Sequence, residues 1–139
     1  MSLVFPDVNV WLVLNIKHVH QEIALDWWRR EHRAIGFCRF TQMGLLRLLT
    51  TSAVMDGKPL SMKQAWSAYD VLAGDERTEF ISESPAVERA FRGLSSSAHA
   101  SPKLWADAYL TAFAGECGGS LVTFDRSLAR RSRGSVLLK

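Results

Sequence analysis

The sequence predicts an α/β domain with three layers, in which helices cover both faces of a central, mostly parallel sheet of about five strands. Short apolar runs alternate with longer amphipathic segments, and this alternation is typical of parallel sheets with helical crossovers. The length of 139 residues, without a repeat or a long linker, predicts a single domain over residues 1–139.

The first half of the chain predicts two strands and three helices. Residues 3–6 form the apolar run of the first strand, and residues 8–15 are an apolar segment that we expect to be helical. Residues 20–33 carry apolar side chains at helical spacing, with charged side chains on the other face. A short apolar strand at 34–38 is followed by a helix over 41–50 whose leucines face the core.

Capping signals mark the helices of the second half. Ser61 and Gln64 have the spacing of a capping box, which predicts a helix that runs to about Leu72. Ser84–Pro85 and Ser101–Pro102 each predict a helix start, because serine caps helices and proline suits the first helical position. The other predicted features are strands at 79–81, 121–124 and 135–138, a helix stop at Gly118–Gly119 and a helical turn at 126–131.

The composition is that of a globular protein with a mild excess of positive charge. Apolar residues make up 47% and charged residues 22%, and the formal charge is +3. This excess permits a polyanionic partner, and most of the basic residues are arginine, which suits bidentate phosphate contacts. Cys38 and Cys117 are interpreted as reduced thiols, which favours a cytoplasmic location. No membrane span and no secretory signal are expected.

Three aspartates stand where the predicted fold directs them toward one point. Asp7 follows the first strand, and Asp125 ends the strand-like run at 121–124. Asp107 lies among apolar residues of the helix that enters the core. Open α/β sheets place their chemistry at the C-terminal ends of parallel strands. Carboxylates gathered there repel one another, and a bound divalent cation is the simplest way to offset this repulsion.

Four sequence blocks stand out along the chain. They are DVNVWL at 7–12, FTQMGLLRLLT at 40–50, SPKLWADAYLTAFA at 101–114 and LVTFDRSL at 121–128. These blocks resemble the PIN-domain family, and closely resemble the VapC-type toxins of bacterial toxin–antitoxin pairs. Each block is weak alone, but four in this order and spacing are a strong signal. The resemblance implies a PIN-like fold, a Mg²⁺- or Mn²⁺-dependent endoribonuclease that acts on RNA, and a small VapB-like antitoxin encoded beside it.

The resemblance also assigns roles to individual residues. Asp7, Asp107 and Asp125 would be catalytic and would supply direct or water-mediated metal ligands, with a metal-activated water attacking the phosphodiester. Asn9 and Thr123 match positions that orient ligands or water. Structural roles remain open for these residues: Asp7 and Asp125 are also typical helix caps, Asn9 suits a turn, and Thr123 suits a strand.

The sequence departs from the commonest family pattern in the helix over 41–50. Many PIN domains carry a glutamate near the start of this helix, and alignment of the blocks puts Gly44 there. No acidic residue lies between Arg33 and Val54. Gln42, two residues earlier, is the candidate for a neutral supporting group. The missing acid leaves an alternative open, a catalytically weak PIN domain that binds RNA or protein.

Basic and aromatic residues suggest how partners would be bound. Arg47 stands alone in a leucine run, where it would contact a substrate phosphate, pair with an acid of the site or lie on the surface. Arg126 and Arg130 begin a basic cluster after Asp125, which is either a phosphate track or a solvated face. The adjacent Trp27–Trp28 pair cannot enter one core completely, which leaves aromatic surface for an antitoxin or for the homodimer usual in the family.

Two other α/β classes with acidic pockets are disfavoured. A phosphatase of the haloacid dehalogenase type needs a second aspartate two residues after the first, where Asn9 stands. A receiver domain needs adjacent acids near the first strand, and the sequence has none there.

Overall fold

A five-stranded sheet forms the centre of the protein in a computed structural model that describes residues 2–139. The strand order is β3-β2-β1-β4-β5, and each strand is parallel to its neighbour. The predicted sheet of about five mostly parallel strands is therefore confirmed. The strands are β1 (Leu3–Pro6), β2 (Ala34–Phe37), β3 (Thr78–Phe80), β4 (Gly119–Thr123) and β5 (Val136–Leu137).

Helices connect the strands and cover the sheet. Over residues 2–139, none of them combines the length and the apolar character needed to cross a membrane. The helices are α1 (Val8–Val13), α2 (Gln21–Arg30), α3 (Arg39–Leu49), α4 (Met62–Ala73), α5 (Ala86–Leu94), α6 (Leu104–Glu116) and α7 (Arg126–Arg131).

Successive residues of the central strands pack into two separate hydrophobic cores, one on each face of the sheet. Val4 and Val122 belong to a core that includes buried residues of α1, α3 and α4. Phe5 and Leu121, their neighbours in the chain, belong to a core shared with α5, α6 and α7. The alternation follows because consecutive side chains of a strand point to opposite faces. Helices therefore pack on both faces, and the predicted three-layer α/β/α architecture is confirmed.

Helix α1 is fixed to the sheet by a tryptophan one turn inside it. Trp11 is fully buried, and its ring stacks on Phe37 of β2 with the ring centroids 3.7 Å apart. Burial of a large apolar side chain contributes roughly 1.5–3 kcal/mol. This packing holds the start of α1, which directly follows β1, in a defined position above the sheet.

Two of the three predicted serine caps are wrong. Ser61 and Gln64 form the capping box at the start of α4, as predicted. At α5 the cap residue is Pro85, with no side-chain cap bond, and α6 begins only at Leu104. The Ser101 carbonyl instead accepts a bond from the Leu104 N–H at 3.0 Å, which makes a turn before the helix. The Ser-Pro pairs therefore mark the turns that lead into helices, not the caps themselves.

The exposed apolar surface lies elsewhere than the sequence suggested. Trp27 and Trp28 are both partly buried, and the Arg77 guanidinium covers the Trp28 ring at 4.5 Å from its centroid. Large apolar side chains are instead exposed on α3 and α4, namely Met43, Met62, Trp66 and Val71. Both cysteines are free, Cys38 buried and Cys117 half-buried, as expected for reduced thiols.

Candidate active site

A pocket of about 610 Å³ contains all three aspartates singled out in the sequence. It opens beside the C-terminal ends of β1 and β4: Asp7 follows β1 directly, and Asp125 follows β4 after Phe124. One part of the lining is acidic and the other is apolar. The lining residues are Asp7, Val8, Asn9, Phe40, Met43, Gly44, Arg47, Leu48, Ala106, Asp107, Leu110, Asp125 and Leu128.

Asp7 is held rigidly between the sheet and α1. Its backbone N–H donates to the Val122 carbonyl at 3.0 Å, which continues the pairing of β1 with β4. Its Oδ1 accepts a bond from the Val10 N–H at 3.1 Å and so caps α1. Burial raises the pKa of Asp7 above its ordinary value, although hydrogen bonds from Thr123 and Val10 act in the opposite direction. Asp7 is therefore both a helix cap and a pocket carboxyl group.

Thr123 connects Asp7 to Asp125. Its buried hydroxyl donates a hydrogen bond to Asp7 Oδ2 and accepts one from the Asp125 N–H at 2.9 Å. Asp125 in turn caps α7, because its Oδ1 accepts bonds from the N–H groups of Ser127 and Leu128. The cap uses one carboxylate oxygen, and a carboxylate has about four lone-pair sites, so Asp125 keeps capacity for a further ligand.

Asp107 lies in the first turn of α6 and pairs with a basic residue of α7. Its Oδ2 lies 3.2 Å from Arg131 Nη1, and the pair is partly exposed. Burial and the charge of Asp125 raise the pKa of Asp107, while the charge of Arg131 lowers it, and the net shift is upward. The charge of Asp125 contributes to the raised pKa of both Asp107 and Asp7, so Asp125 lies close enough to influence each of the other two carboxyl groups.

The chemistry of the pocket suits a hard divalent cation bound partly through water. Carboxylate oxygens are the ligands that Mg²⁺ prefers, and Asp7 and Asp125 both have lone pairs beyond those used in caps. Within residues 2–139, no three His, Cys, Asp or Glu side chains lie close enough together to hold one ion directly. A cation here would therefore use one or two carboxylates and bridging waters, an arrangement typical of Mg²⁺.

Helix α3 contributes a neutral and basic wall. Asn9 lines the pocket from α1, whereas Gln42 is buried and accepts a bond from Arg39 Nη1, away from the lining. Gly44 does line the pocket, but a Cβ there would lie 2.8 Å from Val8 Cγ2. The glycine therefore allows α3 and α1 to pack closely, and an acidic side chain at this position would require them to shift.

The basic residues divide into those that reach the site and those that do not. Arg47 lines the pocket, as one of its predicted roles requires. Arg126 and Arg130 are exposed and outside the lining, so a role in binding a substrate stays a prediction for them. Arg131, a further member of the predicted basic cluster, contacts Asp107. No sequence spacing signalled this contact, because it depends on how α7 packs relative to α6.

The fold and the pocket place the protein in the class of open α/β domains that have an acidic pocket beside the ends of their parallel strands. Comparison with known protein families identifies the family within this class. The family model of the PIN domain matches residues 4–134, which is nearly the whole chain. The chain belongs to the PIN-domain family.

Curated relatives and a solved structure support the same assignment. The chain is 37% identical to Ribonuclease VapC41 of Mycobacterium tuberculosis, over 89% of this chain and 90% of that protein. It is 34% identical to Ribonuclease VapC44 of the same organism, over 88% and 86% of the two chains. The crystal structure of M. tuberculosis VapC20, a toxin that cleaves the sarcin–ricin loop, superposes with a TM-score of 0.70 over 98% of both chains. Its sequence identity of 16% shows a shared fold.

Proposed function

We propose that this protein is a divalent-metal-dependent endoribonuclease and the toxin of a toxin–antitoxin pair. The observation that carries the proposal is the convergence of Asp7, Asp107 and Asp125, from three distant parts of the chain, on one pocket. The names of the relatives, which are ribonucleases of the VapC group, support the same activity.

The carboxyl groups of the pocket have distinct tasks in the proposed reaction. Asp7 and Asp125 would hold the cation, with Asp107 reaching it through water. Mg²⁺ or Mn²⁺ would supply an activated water and offset the charge that develops on the phosphate. Thr123 keeps Asp7 in place and shares its hydroxyl with the backbone of Asp125.

The remaining polar lining residues would place the RNA. Arg47, on the α3 side of the pocket, would contact a phosphate beside the scissile bond, and Asn9 would orient water or a ligand. Hydrolysis would leave a 5′-phosphate and a 3′-hydroxyl. No serine or histidine nucleophile is needed for this chemistry.

Protein partners complete the proposal. A small VapB-like antitoxin would inhibit the enzyme, and two copies of the chain would form a homodimer. The exposed apolar side chains of α3 and α4 support a protein contact, because contiguous apolar surface typically marks an interaction site. Light scattering at micromolar concentration tests the dimer, and co-expression with the neighbouring small reading frame tests the antitoxin.

Cleavage of structured RNA by purified protein tests the enzymatic proposal. Wild-type protein should cleave in Mg²⁺ or Mn²⁺ and stop when EDTA is added, and end analysis should show 5′-phosphates. Asp7→Asn should be at least about a hundredfold slower, since it removes a charge from the proposed ligand set. Equal rates for wild type and Asp7→Asn would exclude this site as the source of the activity.

A second candidate function is a catalytically weak PIN domain that binds RNA or protein. The observation that favours it is the neutral α3 wall, where Gly44 replaces an acid and Gln42 is directed to Arg39. In that case RNA binding would be measurable by gel shift, but no metal-dependent cleavage would accompany it.

A further inference from the structure

The proposed chemistry uses the acidic half of the pocket and leaves its apolar half unexplained. That half includes Phe40 and Met43 of α3 and Leu110 of α6. Phe40 is 39% exposed and Met43 is 60% exposed, and both line the apolar part of the pocket. Large apolar side chains at the rim of a hydrolytic site add nothing to metal binding, so they call for a different explanation.

Helix α3 arranges an aromatic, an apolar and a basic side chain in one row. Phe40, Met43 and Arg47 are spaced at i, i+3 and i+7, which places them on one face of a helix. All three line the same pocket. The row therefore offers a ring and a thioether next to a guanidinium group that suits a phosphate.

A second aromatic side chain holds the Phe40 ring in place. It packs against Tyr109 of α6, with ring centroids 5.4 Å apart and the planes inclined by 53°. The Tyr109 hydroxyl donates a hydrogen bond to Glu83 at 2.6 Å, and its ring also packs edge-on against Phe91. These contacts restrict the orientation of Phe40 before any ligand arrives. A ring that is already ordered loses little conformational entropy on binding.

On the basis of the proposed function, we infer that Phe40 and Met43 form a stacking subsite for one unpaired RNA base next to the scissile phosphate. A nucleotide has the matching chemistry, a flat uncharged base joined to an anion, for a pocket that holds both an aromatic ring and Arg47. A base carries no charge, so it can approach Asp7 and Asp107 without repulsion. Proteins that bind single-stranded RNA commonly stack bases on aromatic side chains in this way.

The subsite also sets a requirement on the substrate. A base inside a duplex is already stacked on both faces, so it cannot pack on Phe40 unless it is extruded. The preferred RNA is therefore one whose nucleotide beside the cleaved bond is unpaired. Phe40 acts as a positioning residue, because it fixes the nucleotide relative to the carboxyl groups without touching the reacting atoms.

A fluorescence measurement tests this inference independently of cleavage. The probe is a short single-stranded RNA with 2-aminopurine at a central position, mixed with protein in Ca²⁺ and checked by gel to be intact. Wild-type protein should quench the 2-aminopurine fluorescence more than it quenches the same strand in a duplex. Phe40→Leu and Phe40→Ala should lose this quenching and weaken binding of the single strand by about tenfold, within the range for one stacked base. Phe40→Trp should restore both.

Phe80 provides a matched control. It is a phenylalanine of similar exposure, 43%, on β3 and outside the pocket. Phe80→Leu should quench and bind as wild type does, and thermal melting should show that all variants are folded. Normal quenching by Phe40→Leu, or an equal loss in Phe80→Leu, would overturn the inference. Loss of antitoxin binding in Phe40→Ala with unchanged RNA binding would also overturn it, since the occupant would then be a protein.

Failure of the stacking inference can be distinguished from failure of the proposed function. Quenching that depends on Phe40, without cleavage of any RNA in Mg²⁺, would support the stacking subsite and contradict the proposed ribonuclease activity. Cleavage that depends on Asp7, with kcat and KM unaffected by Phe40→Leu, would support the proposed ribonuclease activity and contradict the stacking subsite.

Discussion

Thr123 and Asp7, which lie 116 residues apart in the chain, share a buried hydrogen bond at the ends of adjacent strands. The same threonine hydroxyl accepts the N–H of Asp125. One side chain thus links the carboxylate of Asp7 to the backbone of Asp125. Because Thr123 is fully buried, its polar atom has no water to replace a lost partner.

Thr123→Val should damage both stability and activity. The substitution keeps the shape of the side chain but removes the bonds to Asp7 and Asp125, and a buried group left unpaired costs roughly 1–3 kcal/mol. Loss of an orienting partner typically lowers metal affinity or activity about 10- to 100-fold. Urea denaturation and RNA cleavage measure the two effects. Thr123→Ser is the control and should retain most of both, and a fully active Thr123→Val would contradict the coupling.

Asp7→Asn should inactivate the protein and yet stabilise its metal-free form. Burial raises the pKa of Asp7, so a negative charge on this carboxyl group is less favourable in the folded protein than in the unfolded chain. Removing that charge should stabilise the metal-free protein by about 1 kcal/mol, or raise Tm by roughly 3 °C. Calorimetry in EDTA measures the difference, and added Mg²⁺ should raise the Tm of wild type only.

The stabilisation by Asp7→Asn should also depend on pH. A raised pKa means that the folded state binds a proton more readily than the unfolded chain, so the wild type loses stability as pH rises above the ordinary aspartate range. The Tm advantage of Asp7→Asn should therefore be small near pH 4 and should grow as pH rises above the ordinary aspartate range. An advantage that is constant over this range would show that the Asp7 charge is not its cause.

Arg131→Gln should strengthen metal binding. Arg131 pairs with Asp107 at 3.2 Å and lowers the negative charge of the pocket, so its removal should tighten Mn²⁺ binding by a few-fold. Stability should change by less than about 0.5 kcal/mol, because the pair is partly exposed. The control is Arg92→Gln, which breaks an exposed pair with Glu88 outside the pocket. Titration calorimetry with Mn²⁺ should show no change for that variant, and weaker binding by Arg131→Gln would contradict the expectation.

Gly44→Ala should destabilise the protein although alanine favours helices. The new Cβ would lie 2.8 Å from Val8 Cγ2, and overpacking of this kind costs roughly 1–3 kcal/mol. In a Val8→Ala background the same substitution should become neutral or stabilising, which a double-mutant cycle in urea would reveal. Gly115→Ala is the control: a Cβ at that position would have open space around it, so the substitution should stabilise α6 by up to ~1 kcal/mol. Additive effects of Val8→Ala and Gly44→Ala would show that the two side chains do not interfere.

The parts of the fold and site that depend on local pattern were predictable from the sequence. β1 and β4 are short apolar runs, and parallel strands end at one edge, so the approach of Asp7 and Asp125 followed from where those runs stop. The capping box at Ser61 was equally local. Whole-chain alternation of strands and helices was enough to give the three layers.

The parts that depend on how helices pack on each other were not predictable. The Arg131 contact with Asp107 depends on the position of α7 relative to α6, which no sequence spacing sets. Gln42 was the candidate for a neutral supporting group, but Arg39 on the same helix holds its amide oxygen. At least one of Trp27 and Trp28 was expected near the surface, but both are partly buried and the distant Arg77 covers the Trp28 ring. In each case a contact with another side chain determines the environment of the residue.

Titration of the metal-free protein and its three Asp→Asn variants with Mn²⁺ tests the central claim most directly. If Asp7, Asp107 and Asp125 form one metal site, wild type should bind Mn²⁺ at the pocket, and Asp7→Asn, Asp107→Asn and Asp125→Asn should each bind it at least about tenfold more weakly. The matched control Asp70→Asn, an exposed aspartate of α4, should bind as wild type does. Wild-type affinity in any two of the three pocket variants would contradict the claim that these carboxyl groups act on one ion.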